Sequence, residues 1–238
     1  QSDGAFDVTS GTLTELWDAA RAAQHPPTAE EVAAAQSRVD WRALELRMRA
    51  ADDGEHPEVR LLRAGMKIDR GALIKGLALD GIARSWAAGG AVNALADLGS
   101  SSILACGVNA EGEPWRIGVR NPRGESRSDL AATVQLSDAI LSASGDDERY
   151  FLYEGRRYHH LVDPRTGDPA ETGLASVTVI LPQDAMTGTM WAGHEGQLSD
   201  MLSTAIFVMG AERGRSLLTD IPGAQLIVST ARRAISSG

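Results

Sequence analysis

The sequence predicts an α+β fold in which helices cover largely antiparallel sheet layers, and three observations carry that reading. Short runs of alternating or continuous apolar residues follow one another from Ala91 to Ala143, separated by Gly, Pro, Asn and Ser clusters, which suits strands joined by turns. Segments with helical spacing lie mainly before and after this stretch rather than alternating with each strand. The aromatic runs on either side of Glu154-Gly155 add a hairpin, a further antiparallel pair. With 238 residues, 43% of them hydrophobic, the chain can bury one substantial core or two small ones, and one domain spanning 1–238 is expected.

Each element follows from its own pattern. Leu13, Leu16, Trp17 and Ala20 fall at helical spacing, and Pro26-Pro27 ends that helix. Thr28-Ala29-Glu30-Glu31 reads as a capping box opening a second helix to about Ser37. Leu44, Leu46 and Met48 alternate with Glu45, Arg47 and Arg49, the period of a half-exposed strand, and Val59 to Leu62 is its expected partner across an Asp52-Asp53-Gly54 turn. Met66 to Asp69 reads as a short approach strand. From Ala72 onward, Ile74, Leu77, Ala78, Gly81, Ile82, Ser85 and Trp86 line one helical face that Gly89-Gly90 ends. Strands are expected at Ala91 to Leu98, Ile103 to Val108, Trp115 to Arg120, Thr133 to Leu136 and Ala139 to Ala143. After the hairpin come a strand at Ala175 to Leu181, helices at Leu198 to Met209 and Glu212 to Leu218, and a strand at Ala224 to Val228. The Gly-rich stretch Thr187 to Gln197 is expected to be a loop.

Composition excludes some functions. A net charge of −9 and a pI near 5.0 do not suit a nucleic-acid-binding surface, and an anionic ligand would need local cations or a metal. The single cysteine, Cys106, sits in an apolar run, so no intrachain disulfide forms and a buried strand thiol is expected. No apolar run reaches membrane-spanning length, and Gln1 opens a polar stretch without a signal-peptide pattern.

Residues with chemical potential cluster in a few places. The second hairpin strand carries His159 and His160 on opposite faces, so one of them points inward. Asp163-Pro164 stops that strand, and Thr166-Gly167 offers a turn with exposed amides; an ordinary hairpin with a solvated His pair fits the same residues. Asp69 to Gly76 opens a helix with backbone N–H groups beside Lys75, as a phosphate-binding helix start does and as many capped core helices also do. Asp200, Ser203 and Thr204, at i, i+3 and i+4, put three oxygens on one helical face. Oxygen-only ligands suit Mg²⁺, although structural hydroxyls have the same spacing.

These segments together carry a resemblance. Gly4-Ala5-Phe6-Asp7, Asp69-Arg70-Gly71-Ala72-Leu73-Ile74-Lys75-Gly76, Asn93 to Gly99, Ser144-Gly145-Asp146, His160 to Gly167 and Asp200 to Ala205 occur in the order seen in the ApbE family, the FAD:protein FMN transferases. The chain resembles that family from about Gly4 to Val228. The resemblance implies an ApbE-like, T-fold-like architecture and an enzyme that splits FAD with Mg²⁺. It joins FMN through a phosphoester to a Ser or Thr of an acceptor protein, an electron-transfer flavoprotein subunit, and releases AMP. Ala5, Phe6, Asp7, Asp69, Lys75 and Leu161 match positions that contact FAD in the family. Ala72, through its backbone, with Asp200, Ser203 and Thr204 matches the metal site, and His160 matches the candidate catalytic base. An extracytoplasmic setting, periplasmic or cell-envelope and membrane-associated as a lipoprotein, is implied too. An FAD pyrophosphatase giving FMN and AMP, or a non-catalytic flavin-binding protein, remains open beside the transferase.

The chain departs from the family pattern at several points. Arg70 stands where leucine is usual, Ile74 where a small residue is usual, Ser100-Ser101 where two glycines are usual, and Thr187 to Gln197 is longer than typical. The family segment that normally precedes Gly4 has no counterpart here. Ala5-Phe6-Asp7 is therefore expected to fray as an untethered terminus, and the chain to belong to a longer precursor or to dimerise.

Overall fold

The computed structural model describes residues 2–51, 54–126 and 128–230, so the expected turn residues Asp52 and Asp53 lie outside the described residues. Backbone packing divides the chain into two compact units. Among the described residues, one takes Gly71–Glu148 and residues 170–230, the other Asp3–Arg70 and Arg149–Pro169.

The first unit is built on a five-stranded sheet in the order β11-β10-β7-β4-β3, from β3 (Ala94–Asp97), β4 (Ser102–Cys106), β7 (Ala139–Gly145), β10 (Leu174–Pro182) and β11 (Gln225–Thr230). Every neighbouring pair is antiparallel, as the short turn-linked runs predict. Every residue of β4 is buried because both its faces are covered. Ile103 and Ala105 pack with Ile117, Val119 and Leu136 of the hairpin β5 (Trp115–Arg120) and β6 (Leu130–Leu136). Leu104 and Cys106 pack on the other side with Leu79 and Ile140. A strand buried on both faces loses the apolar/polar alternation, which is why this stretch reads as one continuous apolar run.

Leu79 belongs to α3 (Ile74–Gly89), which ends at Gly90 with φ 73°, as the glycine pair predicts. Its buried face differs from the expected one. Gly76, Leu79 and Asp80 are buried and Ile82, Ala83 and Trp86 half-buried, whereas Ile74 and Leu77 are exposed. The face is set by a glycine and a carboxylate turned toward another helix, residues that hydrophobic periodicity does not count. That helix is α4 (Glu195–Met209), which starts one turn earlier than expected. The predicted loop accordingly shrinks to turns, and Glu195-Gly196-Gln197 form the first turn of α4. A short α5 (Ala211–Arg215) and a 3₁₀ turn (Ser216–Leu218) lead to β11.

The two long helices cross where both carry glycine. A Cβ on Gly76 would stand 2.2 Å from the Gly196 carbonyl oxygen and 2.7 Å from Gln197 Cα. Gly76→Ala is expected to destabilise the protein by about 1–3 kcal/mol through overpacking, despite a helix-propensity gain of roughly 1 kcal/mol. Denaturant unfolding checks this, and a variant as stable as its parent would mean that the helices can separate at no cost.

In the second unit, α1 (Gly11–Ala23) and α2 (Ala29–Gln36) meet the expected pattern. The capping box is present: Glu31 N–H donates to Thr28 Oγ1 at 3.2 Å, and Thr28 N–H to Glu31 Oε2 at 2.8 Å. The hairpin β8 (Tyr150–Tyr153) and β9 (Arg156–His159) turns at Glu154 and Gly155, with φ 49° and 77°. Positive φ at both turn residues matches the right-handed twist of the paired strands. Trp17, Val32 and Phe151 form the core of this unit, Tyr158 stacks on Trp17 and Phe151, and Trp17 Nε1 donates to Gly167 O at 2.8 Å.

Two expectations fail in this unit. Met66 to Asp69 forms only an isolated bridge, Lys67 with Ser10, because the N-terminal segment turns into α1 at Gly11 and leaves nothing further to pair. In the hairpin β1 (Leu44–Ala51) and β2 (Gly54–Leu61), Leu46 and Met48 are exposed, so the strand is not half-buried. Among the described residues no helix is long and apolar enough to cross a membrane.

Candidate functional site

In the first unit the site grows from the meeting of α3 and α4. Asp200, 4% exposed, accepts the Gly76 N–H through Oδ2 at 3.2 Å. Among the described residues its other oxygen has no hydrogen-bond partner. Burial pushes the Asp200 carboxyl above its ordinary range, opposed by the Gly76 amide and the Lys75 charge. Lys75 Nζ donates to Ser101 Oγ. The neighbouring Ser100 adopts φ 64° after Gly99 at 73°, so the Ser100-Ser101 departure places a serine in a backbone conformation that favours glycine.

Hydroxyls line the same helix. Ser144 of β7 lies 2.9 Å from Ser203 Oγ and 3.1 Å from Thr204 Oγ1, and Ser142 lies 2.7 Å from Ser199 Oγ. Ser203 also donates to the Asp200 carbonyl at 2.9 Å, so its hydroxyl is an interior brace, while Thr204 is only half-buried. The donor set of Asp200, Thr204 and Ser144 contains oxygen alone, and a carboxylate penalised by burial gains from a cation. These residues therefore fit Mg²⁺. Among the described residues no group of three or more His, Cys, Asp or Glu side chains converges, so any metal shell here would be completed by water or ligand oxygens. Ala72 lies in the turn leading into α3, half-buried.

In the second unit the two histidines separate as alternation predicts. His159, 8% exposed, accepts the Leu161 N–H at its Nδ1, 3.2 Å away. His160 lies just past the end of β9, half-buried, with Nδ1 3.3 Å from Arg149 O. A carbonyl can only accept, so this contact assigns the proton to Nδ1 and leaves the lone pair on Nε2. Crowding by protein atoms, then the Arg149 charge, lowers the His160 pKa from 6.5 to about 4, so the ring is neutral at physiological pH.

The neighbouring turn is closed on itself. The Thr166 and Gly167 amides donate to the Asp163 carbonyl at 3.2 and 2.8 Å, and the Arg165 guanidinium bonds both Asp163 carboxylate oxygens at 2.8 and 2.7 Å. The amides expected to be exposed for a ligand are thus already used. Ala5 and Leu161 are buried, so their side chains serve the core. Asp7, beside the half-buried Phe6, accepts Thr9 N–H at 2.8 Å, Thr9 Oγ1 at 2.7 Å and Trp41 N–H at 3.1 Å. The segment expected to fray is tied down by these bonds. Asp69 accepts from Thr14 Oγ1 at 2.6 Å.

The structure thus gathers Lys75, Asp200, Ser203 and Thr204 in one unit and Asp7, Asp69, His160 and Leu161 in the other. Sequence reasoning named Gly76 and Ser144 only within matched segments and Ser101 only as a departure from the family pattern, and it gave no place to Asp80. Serines two apart on a strand, facing hydroxyls four apart on a helix, were the signal for the Ser142 and Ser144 contacts.

Comparison with known proteins places the chain in a family. The ApbE family profile matches residues 1–228. The chain is 33% identical over 231 residues to the FAD:protein FMN transferase of Treponema pallidum (strain Nichols), covering 94% of this chain and 60% of that protein. It is 31% identical over 216 residues to the enzyme of the same name from Haemophilus influenzae (strain ATCC 51907 / DSM 11121 / KW20 / Rd), covering 89% and 57%. It therefore spans about six-tenths of the length of these curated relatives. The crystal structure of the ApbE protein from Thermotoga maritima superposes with a TM-score of 0.73 at 34% identity, over 96% of this chain and 68% of that one. The flavin transferase ApbE from Vibrio cholerae gives 0.73 at 25% identity, over 97% and 67%. On the family match and these likenesses, the chain belongs to the ApbE family.

Proposed function

We propose that the chain carries a flavin-transfer activity: it cleaves FAD at the pyrophosphate, attaches FMN to a Ser or Thr hydroxyl of an acceptor protein and releases AMP. The observation that carries this reading is the buried Asp200 carboxylate, one oxygen on the Gly76 amide and the other without a hydrogen-bond partner among the described residues, one helical turn before Thr204, whose hydroxyl lies 3.1 Å from that of Ser144. Asp200 and Thr204, with the Ala72 backbone, would hold Mg²⁺, which when bound supplies charge neutralisation for the pyrophosphate oxygens. Lys75 adds a cation to a chain of net charge −9 that has to bind an anionic dinucleotide. His160, neutral with its lone pair on Nε2, takes the proton of the acceptor hydroxyl as that oxygen bonds to the FMN phosphorus and the bond to AMP breaks. An extracytoplasmic location belongs to the same proposal and rests on the family resemblance.

The test is incubation with FAD and Mg²⁺, with and without an electron-transfer domain carrying an acceptor Thr, measuring AMP, free FMN and gel-stable flavin fluorescence. The expected result is fluorescent acceptor with one AMP per flavin attached. Free FMN alone would make the protein a pyrophosphatase, and FAD binding without AMP would make it a flavin-binding protein.

A further inference from the structure

At neither long helix of the first unit does the N-cap residue cap the helix with its side chain. The residue before α3 is Leu73 and the residue before α4 is His194, and neither side chain bonds an orphan amide. Each helix is capped instead by a carboxylate of the other. Asp200 of α4 accepts the Gly76 N–H at 3.2 Å, and Asp80 of α3 accepts the Gly196 and Gln197 N–H groups at 2.7 and 3.1 Å. The sequence mirrors this exchange, since Gly76-Leu77-Ala78-Leu79-Asp80 and Gly196-Gln197-Leu198-Ser199-Asp200 both place a glycine four residues before the aspartate.

At i and i+4, glycine and aspartate share a helix face. Each glycine lets the other backbone approach: a Cβ on Gly196 would stand 2.5 Å from the Gly76 carbonyl oxygen and 2.5 Å from Asp80 Oδ1. The crossing is thus a reciprocal lock. Its two halves are unequal: Asp80, 2% exposed, spends both carboxylate oxygens on amides, whereas Asp200 spends one and keeps the other.

We propose that Asp80 is a positioning residue for the Asp200 carboxylate, fixing the first turn of α4 so that the free Asp200 oxygen is aimed for a divalent cation. The inference rests on the metal assignment proposed above. It assigns Asp80 no contact with substrate or metal. Its effect passes through the Gly196 and Gln197 amides to the helix that presents Asp200 one turn later.

The test is Mn²⁺ binding followed by electron paramagnetic resonance without FAD, alongside thermal unfolding, in Asp80→Ala, Asp80→Asn and Asp200→Asn. Asp80→Ala is expected to weaken Mn²⁺ binding by about 10-fold or more, as losing a supporting partner of a metal ligand commonly does. Asp80→Asn keeps one acceptor oxygen and is expected to restore part of that affinity, while KM for FAD at saturating Mg²⁺ stays near the parent value. If Asp80→Ala does not fold, the Asn variant carries the test, because unchanged Mn²⁺ affinity in it overturns the proposal. A lowered melting temperature with unchanged Mn²⁺ affinity in Asp80→Ala would reduce Asp80 to a structural cap and sink the idea. Asp200→Asn separates the two readings. Retained Mn²⁺ binding there overturns the metal assignment and this proposal with it, whereas loss in Asp200→Asn with no change in the Asp80 variants overturns this proposal alone.

Discussion

Asp200→Asn is expected to abolish Mg²⁺-dependent AMP release, by at least about 10²-fold, while leaving the fold intact. The amide oxygen can still accept the Gly76 N–H, so the contact that holds the start of α3 survives. What disappears is the negative charge. In the metal-free protein that charge is a burden, because burial raises the Asp200 pKa. A group with a raised folded-state pKa contributes stability that is present at low pH and lost as pH rises through that value. Replacing it by a neutral amide should therefore leave the metal-free melting temperature at neutral pH unchanged or slightly higher. The stabilisation that Mg²⁺ gives the parent by binding the folded state should vanish in the variant. Thermal scans with and without Mg²⁺ separate this outcome from misfolding. Near-normal AMP release at modest Mg²⁺ would remove Asp200 from the metal site.

Much of the fold was legible because local chemistry and global arrangement agree. Thr28 and Glu31 announce α2 and form the capping box seen. Glu154-Gly155 announces the hairpin and takes the positive φ values that a tight two-residue turn needs. What stayed illegible depends on partners distant in sequence. The core face of α3 was misplaced because Gly76 and Asp80 are determined by α4, more than a hundred residues later. The start of α4 was placed late for the same reason: its capping carboxylate is Asp80, while the local residue, His194, bonds none of its amides. The candidate site follows the same rule. Asp200, Ser203 and Thr204 were legible from spacing within one helix, but Ser144, which bridges the last two, required the pairing of strand with helix. The amides of Thr166 and Gly167 are an exception: the Asp163 carbonyl that accepts them lies only three and four residues back, so an ordinary closed turn was the local reading and the ligand-binding one fails.

His160→Ala is expected to remove flavin transfer by about 10²–10⁴-fold with FAD still bound, the range that a general base contributes. His159→Ala should act differently. Its ring is buried and accepts the Leu161 amide, so removing it leaves a buried donor and a cavity, costing about 1–3 kcal/mol of stability with only a mild effect on turnover of the folded fraction. Both expectations place the reactive lone pair on His160 Nε2, because Nδ1 faces the Arg149 carbonyl at 3.3 Å. The pH dependence gives an independent reading. An unfolded chain takes up the histidine proton near 6.5 and the folded one near 4. Stability from this group is therefore full above pH 6.5 and falls as pH drops toward 4. His160→Ala should flatten that part of the melting profile, which His159→Ala should not do. Transfer abolished by the His159 change in folded protein, with the His160 variant active, would reverse the assignment of the two rings. A flattened melting profile with undiminished transfer in His160→Ala would leave His160 a buried neutral histidine, and the acceptor proton would have to leave by another group.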